Sequence, residues 1–313
     1  MKKKVLIHAV SWILSLGIIA VLLWLLDARK IVHVLAGTSL PAVAGIMALI
    51  VVMLAFKGVR WWIIVRTRTA VSLWTCVRLS IVGLFINAFI PLRGGDVARG
   101  LVLSRETGMT RALALGTVAL DKLFDMITLV VLVIPLLFLG GLPEWIRWPP
   151  VITVGAAAVL LAVGVLLRLR MRRRDDDLED ASWLVRVLTR FAAGFDSALR
   201  PGPAALCTLL SVLTYATLLG TMMLGLMSVG IHADPGTSII CILAVEFAAG
   251  IPVTPSAAGT MHGAIVAVLA ALGKDPDTAM SAAVVYHAAQ ILPILVLGVV
   301  LTRGTALEQA ADK

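Results

Sequence analysis

Apolar runs long enough to cross a bilayer recur along almost the whole chain. They constrain its fold more than any other feature. Each runs for about 20 residues, the length a helix needs to span the hydrocarbon core. In lipid, only a helix or a closed barrel satisfies its own backbone polar groups. The chain has 313 residues, 60% hydrophobic and 14% charged, with a mean hydropathy of +1.01. A soluble domain is nearer 45–50% apolar and about 25% charged. A soluble enzyme, a disordered tail and a secreted disulfide scaffold are therefore excluded. Cys76, Cys207 and Cys241 stand singly in apolar stretches and read as small core residues.

The hydropathy pattern predicts spans at 5–26, 40–56, 117–139, 151–167, 203–229 and 278–301. Basic residues and Trp61–Trp62 follow the second span, an interfacial signature. Two further apolar segments are broken. The run 79–92 is short, has arginines at both ends, and breaks at Pro91-Leu92-Arg93-Gly94-Gly95. The run 238–272 is interrupted by two prolines, Pro252 and Pro255, between Gly250 and Gly259. We read both as re-entrant hairpins, the first entering from the cytoplasm and the second from outside. The expected fold is an all-α polytopic membrane protein: six transmembrane helices plus two re-entrant helical hairpins, in one integral domain over 1–313. Its halves, about 1–140 and 150–303, share the order span, span, hairpin, span and form an inverted repeat. A polar cytoplasmic insert, 168–200, contains an amphipathic surface helix at 183–195.

With both termini cytoplasmic, Arg29, Lys30, Arg147 and Lys274 fall outside and Lys122 lies within a span. All the other Lys and Arg residues are cytoplasmic. The formal charge of +9 thus reports orientation and contact with anionic headgroups, not nucleic acid.

Ionisable side chains inside spans are costly and mark candidate sites. At the first break these are Arg93, Asp96 and Arg99, followed on the next helix by Asp121, Lys122 and Asp125. Asp121 and Asp125 share a helix face, and Lys122 is spaced to pair with Asp125. Arg93 and Arg99 suit an anionic headgroup, held in place by the acids. The helix opening at Gly94-Gly95 adds backbone N–H groups. In the second half the candidates are Glu246, His262, Tyr286, His287 and Gln290. No nucleophile motif and no P-loop is present, and no cofactor is expected.

Three runs carry a resemblance: Lys57-Gly58-Val59-Arg60-Trp61-Trp62; Asn87-Ala88-Phe89-Ile90-Pro91-Leu92-Arg93-Gly94-Gly95-Asp96-Val97-Ala98-Arg99; and Leu120-Asp121-Lys122-Leu123-Phe124-Asp125. The chain resembles the flippase-like transmembrane domain of lysylphosphatidylglycerol synthases, the multiple peptide resistance factor family. The late break is similar to the family's Pro-Gly-Gly-x-Gly-x-x-Glu signature, except that His262 stands where glutamate is expected. The resemblance implies lipid translocation in a bacterial or archaeal cell (inner) membrane, without the synthase domain. Its cargo would be a phospholipid or a polyprenyl-phosphate or glycolipid headgroup. The expected partner is a membrane lipid with an anionic headgroup. A homo-oligomer and a partner lipid-synthesis enzyme are compatible with this reading. The residues expected to contact the substrate are Asn87, Arg93, Gly94, Gly95, Asp96, Arg99, Asp121, Lys122, Asp125, Glu246, Pro252, Pro255, His262 and His287.

An enzymatic alternative rests on Asp96-Val97-Ala98-Arg99, Gly116, Asp121 and Asp125. These resemble the metal-binding pattern of CDP-alcohol phosphatidyltransferases, in which three carboxylates hold Mg²⁺. The spacing departs from it: Val97 replaces a glycine, and the interval from Arg99 to Gly116 is too long.

Overall fold

The computed structural model describes residues 28–90, 94–137, 183–195, 200–250 and 255–311, with isolated helical positions between 151 and 162. The expected span 5–26, most of the span 151–167, and the candidates Arg93 and Pro252 lie outside the described residues. The fold is all-α. In chain order the helices are α1 (Ala28–Ala36), α2 (Leu40–Arg66), α3 (Leu73–Phe89), α4 (Gly94–Thr107), α5 (Arg111–Leu137), α6 (Trp183–Ala193), α7 (Pro201–Ser228), α8 (Pro235–Gly250), α9 (Thr260–Ala271) and α10 (Pro276–Ala311). A 3-10 turn, Pro255–Ala257, precedes α9.

Small polar residues punctuate the apolar sequence and start the helices. Ser39 Oγ accepts from Ala42 N (3.4 Å), and Ser72 Oγ accepts from Thr75 N (3.0 Å). Asp234 Oδ1 accepts from Thr237 N (3.0 Å), and Asp275 Oδ2 accepts from Thr278 N (2.9 Å). Each satisfies one orphan donor of a helix start.

Among the described residues, Leu40–Arg66, Pro201–Ser228 and Pro276–Thr302 are long and apolar enough to cross a membrane. Their outward positions stay apolar, with Leu206, Leu209 and Val212 on α7 and Val296 and Val300 on α10 all exposed. Such a surface suits lipid and not water. α5 also has 27 residues but carries Asp121, Lys122 and Asp125 near its middle.

The long helix α2 packs along α7, α3 and α10. At one end of the bundle, Ile46, Ile50 and Leu54 meet Met222, Leu226, Ile265 and Tyr286. At the other, Trp61 and Ile64 meet Cys76, Leu79, Leu103 and Leu120. α2 continues well past the expected boundary at 56. Arg60 and Trp61 are fully buried within it instead of anchoring an interface.

Both broken segments form packed helix pairs, α3 with α4 and α8 with α9. At the first break Gly83 and Gly95 bring the backbones of α3 and α4 together, and a Cβ on Gly95 would collide with the Gly83 carbonyl oxygen. Gly95 N–H donates to Asn87 Oδ1 (2.8 Å), which closes the turn. The amphipathic helix expected at 183–195 is α6. It docks on α5 where Gly116 and Gly194 touch, with no space for a side chain on either.

Candidate functional site

The first half gathers its buried charges into one ion-pair network. Arg60, three residues after Lys57, points from α2 toward α5. Its Nε donates to Asp121 Oδ1 (2.7 Å), its Nη1 donates to Ser211 Oγ (2.8 Å), and its Nη2 pairs with Asp125 Oδ1 (2.8 Å). Arg99, on α4, reaches the other oxygen of Asp121 (Nη2 to Oδ2, 2.8 Å) and pairs with Asp96 (Nε to Oδ1, 3.4 Å). Its guanidinium lies 4.5 Å from the centre of the Trp61 ring, a cation–π contact. Trp61 is fixed in turn by its indole N–H, which donates to Thr117 Oγ1 (3.2 Å).

Two lysines complete the network. Lys57 Nζ donates to Asp125 Oδ2 (2.9 Å), and Lys122 Nζ pairs with Asp96 Oδ2 (3.2 Å). Lys122 thus pairs across helices with Asp96, while Asp125 is taken by Lys57 and Arg60. Buried charges persist only when paired and hydrogen-bonded. Here four cations, Lys57, Arg60, Arg99 and Lys122, meet three carboxylates, Asp96, Asp121 and Asp125. Among the described residues the network carries one surplus positive charge.

Burial divides the network into a support and a working edge. Arg60, Arg99 and Asp121 are almost completely buried, at 0, 5 and 3% exposure. The Lys57 and Lys122 side chains remain 21 and 29% exposed. These lysines, with Asp125 and Asn87, line a cavity of about 220 Å³. The opposite wall comes from the second half: Glu246 and Val245 of α8, Ser256 of the 3-10 turn, Gln290 of α10, and Thr214 and Tyr215 of α7. Glu246 makes no hydrogen bond or ion pair with the other described residues, and its carboxylate shares the cavity lining with the two lysines. The geometry offers cations on one wall and a free acceptor on the other, which suits a headgroup with an anion and hydrogen-bond donors.

The second break forms its own chain of contacts. Ser256 and Ala257 have φ of 54° and 53°, a left-handed stretch uncommon for residues with side chains. Ser256 Oγ lies 3.1 Å from His287 Nε2, and His287 Nδ1 lies 3.1 Å from His262 Nε2. Gln290 Nε2 donates weakly to the Tyr286 hydroxyl (3.5 Å). Pro255 opens the 3-10 turn.

Among the sequence candidates, Asn87, Lys122, Asp125 and Glu246 line the cavity. Asp96, Arg99 and Asp121 stand behind its wall as the ion pairs that hold it, and Gly94 and Gly95 open α4, with Gly95 N–H donating to Asn87. His262 and His287 reach the cavity through Ser256. Two residues of the site were missed as candidates. Lys57 and Arg60 are adjacent on one face of α2, and their i, i+3 spacing inside the Lys57–Trp62 run was the available signal.

The phosphatidyltransferase arrangement does not match this geometry. Every one of Asp96, Asp121 and Asp125 is bound by cations of the chain itself, and no His, Cys, Asp and Glu group among the described residues could hold a metal.

Fold and charge network define a polytopic all-α membrane protein with a polar cavity between its halves. Residues 12–298 match the family model of the lysylphosphatidylglycerol synthase TM region, and the chain belongs to that family. It is 24% identical to the UPF0104 membrane protein MJ1078 of Methanocaldococcus jannaschii, over 70% of this chain and 93% of the relative. It is also 23% identical to the glycosyltransferase AglD of Haloferax volcanii, over 96% of this chain but 55% of that protein. The chain therefore spans about half of AglD. No solved structure matches it.

Proposed function

We propose that this protein moves a lipid between membrane leaflets, carrying the headgroup of a phospholipid or of a polyprenyl-phosphate or glycolipid through the cavity while the acyl chains stay in the bilayer. One observation carries the reading: the surplus positive charge of a fixed ion-pair network is presented to a cavity by Lys57 and Lys122. A phosphate would sit against these two ammonium groups, which are the exposed ends of a network that cannot relax around it. Glu246 would accept hydrogen bonds from headgroup hydroxyls or an amine.

The two helix–break–helix pairs support this reading as re-entrant hairpins of an inverted repeat, entering from opposite faces and meeting at the cavity. Helix breaks at matching positions of inverted halves favour a site near mid-membrane, with alternating access by rocking of the halves. On this reading the chain is a transporter and not an enzyme. It sits as a multi-pass protein in the cell membrane with both termini cytoplasmic, and a lipid-synthesis enzyme supplies its cargo.

Reconstitution tests it. Purified protein in proteoliposomes, without nucleotide, should expose labelled phosphatidylglycerol, phosphatidylethanolamine or a short polyprenyl phosphate to an outside quencher. Lys122→Gln should lose most of that movement while eluting as folded protein. Movement of none of these lipids, with or without a pH gradient, would contradict the proposal.

A further inference from the structure

The second break holds a line of groups that headgroup binding alone does not require. His262, on α9, is 8% exposed, and its Nδ1 is buried without a hydrogen-bond partner. Its other nitrogen contacts His287 of α10, the rings packed edge to face with centroids 5.0 Å apart. The far nitrogen of His287 contacts Ser256, and Ser256 lines the cavity. Three groups from three elements thus run from the packed interior to the cavity wall.

We infer that the His262–His287–Ser256 line is a proton site coupled to the cavity, so that an anionic headgroup enters together with a proton. The inference rests on the headgroup reading above and names its coupling ion.

The step balances. In the receptive tautomer Ser256 O–H donates to His287 Nε2, and His287 Nδ1–H donates to His262 Nε2. A proton arriving from the cavity binds Ser256 Oγ, and Ser256 passes its own hydrogen to His287 Nε2. The products are an intact hydroxyl and one imidazolium shared by the ring pair through the 3.1 Å contact. No other bond breaks and no electron moves.

The surroundings decide when that charge is tolerated. Of the ionisable groups, α8 carries Glu246, on the cavity wall, and the buried Cys241. α10 contributes Tyr286, and α7 contributes Tyr215. Across the cavity stand Lys57 of α2 and Lys122 and Asp125 of α5, with Asn87 from α3. No described residue forms an ion pair with either histidine. An imidazolium here therefore has no directly paired countercharge among the described residues while no anion is bound. An anionic phosphate in the cavity supplies the missing countercharge. By linkage, the anion then favours protonation of the pair, and protonation favours the anion.

Calorimetry of headgroup binding tests this. Dihexanoyl phosphatidylglycerol is titrated into the full-length protein in detergent at pH 7, in two buffers of different ionisation enthalpy. Wild type should take up protons on binding, up to about one per chain. His287→Gln, which keeps a hydrogen-bonding amide, should bind the lipid more weakly and with little or no uptake. Ser256→Ala, checked for folding by gel filtration, should likewise lose uptake. Binding by wild type with no proton uptake would overturn the inference while leaving the headgroup reading intact. So would uptake unchanged in both variants. No binding by wild type would instead overturn the headgroup reading, and the inference with it.

Discussion

The two broken helix pairs solve the same problem by opposite means. At the first, around α3 and α4, glycines bring the backbones into contact and every nearby carboxylate is tied to arginine or lysine. At the second, around α8 and α9, the turn passes through two left-handed residues with side chains, and the polar groups are a free glutamate and a histidine pair. The first makes a rigid charged wall. The second makes a wall whose charge can change. A carrier needs both: one surface that recognises an anion in a fixed geometry, and one whose state differs before and after it arrives.

The largest expected effect breaks the rigid side. Arg60→Met removes a fully buried guanidinium and leaves one oxygen each of Asp121 and Asp125 without its cation. It should destabilise the protein by about 3–5 kcal/mol, the usual result of leaving one member of a buried pair. Thermal unfolding in detergent measures this. The matching substitution on the other side, Glu246→Gln, should leave the melting temperature nearly unchanged, because no described residue is paired with Glu246. Equal effects would erase the contrast between the two walls.

Gly95→Ala sharpens the comparison at the level of backbone packing. The new methyl group meets the Gly83 carbonyl oxygen, so α3 and α4 must separate, at a cost of about 1–3 kcal/mol. Gly250→Ala at the second break meets none of the described residues and should be nearly neutral. Denaturation of the two variants side by side checks the difference.

The smallest effect lies outside both breaks. Lys30, on α1, pairs with Asp275 (2.6 Å) and Asp277 (3.2 Å) at the start of α10. The hydrogen bond from Lys30, with those from Thr278, holds the Asp275 carboxyl down at about 2. A carboxylate depressed in the folded state contributes stability above its unfolded pKa near 3.9, and loses it as pH falls through about 2. Both side chains are largely exposed, so the contribution is small. Lys30→Met should therefore lower the melting temperature slightly at pH 6 and not at all near pH 2.

Much of this architecture is legible in the sequence, because hydropathy and Pro-Gly breaks act locally. α7, α10 and both breaks fall close to where those signals put them. α2 does not end where its apolar run ends, since Arg60 is buried by partners on α5 and α7 that are distant in sequence. For the same reason the pairing of Lys122 with Asp96 instead of Asp125 could not be read from spacing along α5. Lys57 was hidden because a lysine at the end of an apolar run resembles an interface residue. Only the tertiary contact with Asp125 turns it into a cavity wall.

The central claim is that a headgroup passes through the cavity between the two walls. The most direct measurement is transport by a protein whose cavity is filled without altering any charge. Ala249→Trp on α8 places an indole on the cavity lining. Headgroup passage through this space predicts that the folded variant moves labelled lipid at least about tenfold more slowly than wild type in proteoliposomes, a rise of about 1.4 kcal/mol in the barrier. Wild-type rates in a folded Ala249→Trp protein would place the lipid path elsewhere and contradict the account.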